Sequence, residues 1–343
     1  MADRSDPARP SETGLPDLVR PAVIQADVII VGAGPAGAAC AARLKQRGMT
    51  VRILEKKRLP RKKICAGWLS PEVFDSLECT PETYPHPLTR IHRIHFHLLG
   101  IRIPVKTRQY AVRRIEFDHW LIRRTGVPVH THPVKQIRKI NGRYVIDDRF
   151  SCRFLVGAGG THCPVRRTFA DPLQGTRPKT ALISAVEQEL LSPHRVRECH
   201  IWYLDRGLPG YGWYLPKKGG WNNIGIGGKQ HRLAARGTTI MTHWRYFVDR
   251  LLQQGFLDRP PGDPAGHTYY LRHTPLASLP DNVFAVGDAA GLSTLDMGEG
   301  IHAAVQSGIA AAEAICNGRP VRLDHISRFS LPGLVTAGRQ QAK

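Results

Sequence analysis

Ala26-Asp-Val-Ile-Ile-Val31 runs without a break into Gly32-Ala33-Gly34-Pro35-Ala36-Gly37, and this join decides the fold. The first six residues are mostly apolar and rich in β-branching, which predicts a buried parallel strand. Beyond the glycines, AACAARLKQRG carries its alanines and leucine at helical spacing. Thr50–Leu54 then predicts a second strand, which ends at Glu55. Strand, glycine turn, helix, strand and acid follow one another within about thirty residues, the context that gives such a turn its meaning.

Each part has a task in holding a dinucleotide. Gly32 permits the tight turn, Gly34 lets backbone approach a pyrophosphate, and Gly37 allows close packing of helix on strand. Ala36 lies at the start of the helix, whose unpaired N–H groups and positive dipole end face the phosphates. Glu55, followed by Lys56, is placed to accept hydrogen bonds from a ribose.

The other end of the chain chooses the dinucleotide. Asn282–Val286 (NVFAV) predicts a strand, followed by Gly287-Asp288-Ala289-Ala290-Gly291. Gly298-Glu299-Gly300 then opens a small-residue helix at Ile301. Asp288, directly after a buried strand, suits a ribityl hydroxyl. A helix starting at Gly300 can aim its positive end at a flavin pyrimidine. NAD enzymes have no need of this second unit, so the expected cofactor is FAD.

These two segments resemble the flavoprotein group that includes aromatic hydroxylases, flavin halogenases and geranylgeranyl reductases. The middle of the chain narrows the resemblance. Tyr211-Gly-Trp213-Tyr-Leu215-Pro216, then Gly225-Ile-Gly227 after eight residues, is similar to the YxWxFP-x(7–8)-GxG signature of geranylgeranyl reductases, with Leu215 in place of its phenylalanine. The resemblance implies that Tyr211, Trp213 and Leu215 line an apolar substrate site. It implies that Lys63-Ile-Cys65-Ala66-Gly67 is the turn beside the flavin, with Cys65 as the residue for proton transfer or positioning. It implies that Arg114, in Arg114-Ile-Glu-Phe117-Asp118, contacts FAD. Gly159 stands where the wider group has an aspartate that arranges flavin and nicotinamide, which weighs against direct use of NADPH. The likeness covers residues 26 to 318.

The organisation that follows is α/β: a Rossmann-type FAD-binding domain with discontinuous topology and an inserted β-rich substrate domain. Residues 26–80, 105–175 and 267–330 are expected to form the first, and 81–104 and 176–266 the second. Strands are predicted over Thr180–Gln188, Glu198–Leu204, Tyr211–Leu215 and Trp221–Gly227, and an amphipathic helix over Thr239–Gln254. Residues 1–25, polar and proline-rich, read as a disordered arm, and 331–343 as a tail.

Of 343 residues 42% are hydrophobic and 22% charged, the balance of an ordinary globular protein. No run is apolar enough to span a bilayer and no secretory leader is evident, so the expected address is cytoplasmic, with peripheral membrane contact open. Seven scattered cysteines, never spaced as CxxC, argue against a disulfide framework or zinc site. The segment that holds His92, His95 and His97 (IHRIHFHLL) alternates as a strand with one wet face would, so no metal is expected there. The net charge is +21, and between Arg43 and Lys63 ten basic residues face one acid. That stretch suits a solvated face or an anionic membrane, and no nucleic-acid module accompanies it.

Three functions fit. The first is an FAD-dependent reductase of isoprenoid or similar lipid double bonds, fed by NADPH or a ferredoxin-like protein. The second is a flavin monooxygenase or halogenase; halogenases tend to carry a second tryptophan where Tyr211 stands. The third is a flavoprotein that shuttles or senses electrons without transforming a substrate.

Overall fold

The computed structural model describes residues 22–170, 177–192, 196–273 and 279–336. β1 (Ile24–Val31) sits inside a seven-stranded sheet, where Val28, Ile29 and Ile30 are wholly buried, as an unbroken apolar run requires. β2 (Val51–Glu55) and β9 (Phe150–Gly157) flank it in parallel, β6 (Val129–Thr131) extends the sheet beyond β2, and β15 (Val283–Ala285) pairs with the end of β9. An antiparallel pair, β7 (Ile137–Ile140) and β8 (Arg143–Ile146), adds to the start of β9.

Helix α1 (Pro35–Gln46) crosses between β1 and β2 and packs against α3 (Arg114–Thr125) and α7 (Ile301–Asn317). The small residues of α7 have a steric reason. A Cβ at Gly308 would collide with the carbonyl oxygen of Ala36, so only glycine lets the two helices approach so closely. Shorter helices, α2 (Glu72–Ser76) and α4 (Pro164–Phe169), cover α7 and β9.

The second sheet has eight strands. Its order is β14 (Ala265–Tyr270), β10 (Leu182–Leu191), β13 (Trp221–Lys229), β12 (Gly210–Lys217), β11 (Cys199–Tyr203), β4 (Thr89–Leu98), β5 (Ile101–Ala111) and β3 (Trp68–Leu69). Among the described residues only β11 and β4 run parallel in this sheet. One face carries α5 (Gln230–Ala235) and α6 (Ile240–Gln253), whose Trp244, Phe247 and Leu251 pack on Trp202, Tyr214, Ile224 and Ile226. Thr239 caps α6 by accepting from the Thr242 N–H at 3.2 Å, and Gly255 follows at positive φ. The opposite face carries Ile91, Ile94, Ile201, Trp213 and Leu215, with Met297 and Leu334 laid against it.

The expected architecture is the observed one, but three boundaries move. The limits drawn at 104/105 and 266/267 fall inside β5 and β14, which belong wholly to the second sheet, as does β3 within the segment 26–80. A strand's partners decide its sheet, and these partners lie far along the chain. β10 also runs to Leu191, because Glu189–Leu191 go on pairing with Asn223–Trp221. Most of the expected arm and tail lies outside the described residues. Within them, β1 already begins at Ile24, and Leu331–Thr336 form a short helix, α8, against β5.

Candidate active site

The glycine loop is built as its spacing requires. A Cβ at Gly32 (φ 118°) would strike the Ala158 carbonyl, and one at Gly37 would strike the Gly32 carbonyl. Gly34 differs: the nearest atom to a Cβ there is Arg61 Nη2, 3.8 Å away, so the loop opens onto space overlooked by a guanidinium. α1 begins with neither a side-chain cap nor an acid in its first turn, which leaves its N–H groups for an outside acceptor. Ala36 is buried against the Asp288 turn: a Cβ at Gly287 would come within 3.2 Å of it.

Glu55 ends β2 and is buried. Its Oε2 accepts from the Ala33 N–H (3.0 Å), its Oε1 from the Lys57 N–H (3.1 Å), and Arg61 Nε lies 3.2 Å from it. The carboxylate therefore braces the glycine loop. Lys56 points into solvent.

Arg61 starts a chain of charges that sequence reading missed. Its Nη1 lies 3.3 Å from Asp118, and Asp118 receives both Nε (2.8 Å) and Nη2 (3.0 Å) of Arg114. Burial works to lower the Arg114 pKa, but Asp118 and a hydrogen bond to the Cys65 thiol raise it above its ordinary value. Arg114 thus links the two halves of the site, Glu55 at one end and Cys65 at the other. The one signal was the Asp118 of its own motif; Arg61 was hidden in a run of like charges.

Cys65 stands where the two sheets meet. Its N–H donates to Glu187 Oε1 on β10 (2.6 Å), and its Sγ accepts from the Gly67 N–H (3.4 Å). Ala66 packs against the Trp213 face of the second sheet, and Gly67 has a positive φ of 74°. Glu187 is buried, which raises its pKa above the usual carboxylate range, against the pull of Lys217 and the Cys65 N–H. Lys217 in turn lies 2.8 Å from Glu189, which also meets Arg113 at 3.1 Å. On the other side of the turn Lys63 Nζ approaches His267 Nε2 (3.1 Å). Burial lowers the pKa of Lys63, with the nearby Asp288 opposing, and that of His267 falls to about 4.

Asp288 follows β15. Arg177 fixes its turn by donating to the carbonyls of Asp288 (2.9 Å) and Ala289 (2.5 Å), while the Asp288 carboxylate receives a long hydrogen bond from Ser293 (3.5 Å). Gly298 has positive φ and lies under the Tyr269 ring. A Cβ at Gly300, the residue before α7, would come within 3.3 Å of Asp288 Oδ1. The side chain of Ile301 is buried in the core beside α1, so only its backbone is available at the helix start. Burial, with Glu72 and Asp296 nearby, pushes the Glu299 carboxyl up to about 7.

Tyr211, Trp213 and Leu215 share one face of β12, as alternation requires. They differ in what they can reach. Leu215 is wholly buried, and Trp213 packs over Gly225 with its indole N–H on Asn223 Oδ1 (2.7 Å). Tyr211 is partly exposed and donates to the carbonyl of Met297, just before Gly298. Two rings unnoticed in the sequence continue the surface: Tyr203 lies 5.3 Å from Tyr211, and Phe96 6.1 Å from Tyr203.

On the opposite face, His95, Glu198 and His200 bring three potential ligand atoms within 4.8 Å. Arg93 already meets Glu198 (3.0 Å) and Arg102 Nε donates to His95 Nδ1 (3.0 Å), so guanidinium charge stands where a metal's would be needed. His92 points into solvent.

Residues 30–64 match the NAD(P)-binding Rossmann-like domain family. Over 86% of its length the chain is 27% identical to a menaquinone reductase of Mycolicibacterium smegmatis, covering 77% of that protein. Over 87% it is 26% identical to a geranylgeranyl diphosphate reductase of Rhodobacter capsulatus, covering 78%. A geranylgeranyl bacteriochlorophyll reductase-like structure from Thermoplasma acidophilum shares the fold, with a TM-score of 0.75 at 19% identity, covering 87% of this chain and 79% of that one. The flavin-dependent brominase Bmp2 shares it too, at a TM-score of 0.69 and 18% identity over 89% and 81% of the chains. No described helix is long and apolar enough to cross a membrane.

Proposed function

We infer that the chain is an FAD-dependent oxidoreductase of the geranylgeranyl reductase type, which reduces a C=C bond in an isoprenoid or related lipid. The observation that carries this reading is convergence. The open glycine loop, the Cys65 turn, the Asp288–Gly300 segment and the Tyr211 face meet around one region, joined by the Cys65–Glu187 and Tyr211–Met297 hydrogen bonds. The related reductases are named for a menaquinone and a geranylgeranyl diphosphate, both of which bear prenyl chains.

The residues fit FAD. Gly34 opens onto space that a Cβ would enter, α1 and α7 both start without side-chain caps, and the Asp288 carboxylate has capacity to accept a further hydroxyl. Gly32, Gly34, Ala36, Gly37 and Arg61 would hold the pyrophosphate side; Glu55 and Lys56 the ribose side; Cys65, Ala66, Gly67, Arg114, Asp288, Gly298, Gly300 and the Ile301 backbone the flavin side. When bound, reduced FAD supplies the hydride. The chain supplies the rest. Phe96, Tyr203, Tyr211 and Trp213 would wall an apolar substrate, which has no polar handle and must be positioned by shape. Glu187, whose pKa burial raises and whose Oε1 accepts from the Cys65 N–H at 2.6 Å, would hold the proton for the second carbon, with Cys65 as its neighbour at the flavin turn.

Gly159 offers no carboxylate where the wider group carries one, which weighs against direct use of NADPH and leaves a ferredoxin-like protein as the other candidate donor. A peripheral membrane contact suits a lipid substrate. Within the Arg43–Lys63 stretch only part of the charge faces outward: Arg61 and Lys63 turn inward to Glu55 with Asp118 and to His267, Arg43 and Lys45 are engaged at the surface by Glu78 and the Gly126 carbonyl, and Lys56, Lys57 and Arg58 are exposed. Oxygen chemistry, favoured by the likeness to a brominase, is the second reading.

One preparation tests these readings. Chemically reduced holoprotein, mixed anaerobically with detergent-dispersed prenyl lipids, should reoxidise as the alkene is saturated. Rapid oxygen consumption with halide or an aromatic and no alkene turnover would favour the second reading. Tightly bound FAD with neither reaction would favour an electron shuttle.

A further inference from the structure

Strands β4 and β5 join through Leu99-Gly100. Leu98 pairs with Ile101, and both turn residues have positive φ, 50° and 83°. Asn-Gly or Asp-Gly ordinarily makes such a turn, because most side chains are strained there. Here the position is held by a leucine that is 87% exposed, beside Ile101 (64%), Ile103 (46%) and Leu98 (38%). Solubility does not ask for this, and turn geometry opposes it.

The hairpin has two unlike faces. Cross-strand pairing sets Leu98 with Ile101 and Phe96 with Ile103 on one, and the Phe96–Tyr203–Tyr211 rings continue that face toward the candidate site. The other sets His97 with Arg102, His95 with Pro104 and Arg93 with Lys106. It forms an open groove lined by Arg93, His95, Arg102, Pro104 and Lys106. Glu198 offsets one of these charges. Burial lowers the pKa of His97 to about 4 and of His200 to about 3, so neither of these two adds charge to this face at neutral pH.

We propose that this hairpin seats the protein on an anionic lipid bilayer. Leu98, Leu99, Ile101 and Ile103 enter the boundary between headgroups and acyl chains, while Arg93, Arg102 and Lys106 lie against lipid phosphates. An apolar tip and face backed by a cationic face within one hairpin complements that boundary, with Arg102 next to the turn and Arg93 and Lys106 farther along the strands. The seating directs the apolar face from the membrane toward Tyr211, which gives a membrane-dissolved chain a covered path. The inference deepens the lipid-substrate reading and takes its purpose from it, but vesicle binding is measured without substrate, so either can fail alone.

Flotation of the full-length holoprotein with vesicles of phosphatidylglycerol and phosphatidylcholine tests it. Leu99→Asn suits the turn better than leucine, so thermal stability should hold or rise while vesicle affinity falls by roughly tenfold or more. Arg102→Glu with Lys106→Glu should weaken binding at low salt, by roughly fivefold for each charge removed. Reversing Lys56, Lys57 and Arg58 should change it little. Leu99→Trp should shift its emission to the blue when vesicles are added. Wild-type affinity in Leu99→Asn, or an unmoved emission in Leu99→Trp, would overturn the proposal. So would a solution dimer that Leu99→Asn dissolves in a protein that ignores vesicles, which would assign the patch to a second copy. Reduction of detergent-dispersed alkene should be the same in Leu99→Asn as in the wild type, and its loss would count against a purely docking role.

Discussion

Two buried carboxyls with raised pKa values give the site its pH behaviour. Glu187→Gln keeps the shape and the acceptor for the Cys65 N–H but removes the proton, so alkene reduction should fall by about 10²-fold with FAD retained. If the rate per bound flavin is unchanged, the proton comes from elsewhere. Glu299 affects stability. Its pKa rises from 4.5 unfolded to about 7 folded, so the native state binds the proton more tightly. Native stability is therefore lost as pH climbs from about 4.5 through about 7, by ~2–3 kcal/mol, and Glu299→Gln should flatten that slope in denaturant titrations at several pH values. A parallel slope in the variant would mean that another group carries it. Glu299 was visible in the sequence only as the middle of a glycine turn. Glu187 and Lys217 were not visible as site residues at all, because each meets its partner through pairing of segments distant in the chain, and Arg61 was masked by the basic residues around it. The need for glycine at positions 32 and 37 was legible in the spacing of the loop, and the structure supplies the steric reason at each.

At the scale of elements, the opening strand, turn and helix were read correctly because each declares itself by spacing. The inserted sheet was recognised as strands, yet the assignment of β5 and β14 failed because alternation says nothing about which sheet a strand joins. The glycine loop offers a separable test. Gly34 borders open space, so Gly34→Val should fold with near-normal stability and bring down almost no FAD. A folded variant with stoichiometric FAD would refute the assignment of the loop. Gly308→Ala should do the reverse. Its Cβ meets the Ala36 carbonyl, so the cost is in packing, ~1–3 kcal/mol, and flavin is lost only as the fold weakens. Melting temperature and flavin content, measured together, separate the two.

Across the whole molecule, the two sheets are tied where the chemistry is expected, through Cys65 to Glu187 and Tyr211 to Met297. Trp213→Ala should cost ~3–5 kcal/mol, because the ring fills the interface over Gly225, and flavin content should fall with stability. A stable, fully flavinated variant without alkene turnover would make Trp213 a substrate wall alone. Tyr211→Phe removes only the bond to Met297 and should spare the fold while loosening the turn before α7. The crossing of α1 and α7 has a further consequence, for synthesis on the ribosome. α1 emerges early, but the helix that covers it spans Ile301–Asn317, and the strand that extends its sheet beyond β9 starts at Val283. The nucleotide half therefore cannot close as the chain emerges, and through most of translation its apolar surface depends on chaperones or on chance. Nascent chains halted before residue 283 should bind chaperones and carry no flavin, and those released after residue 318 should acquire it in a single late step.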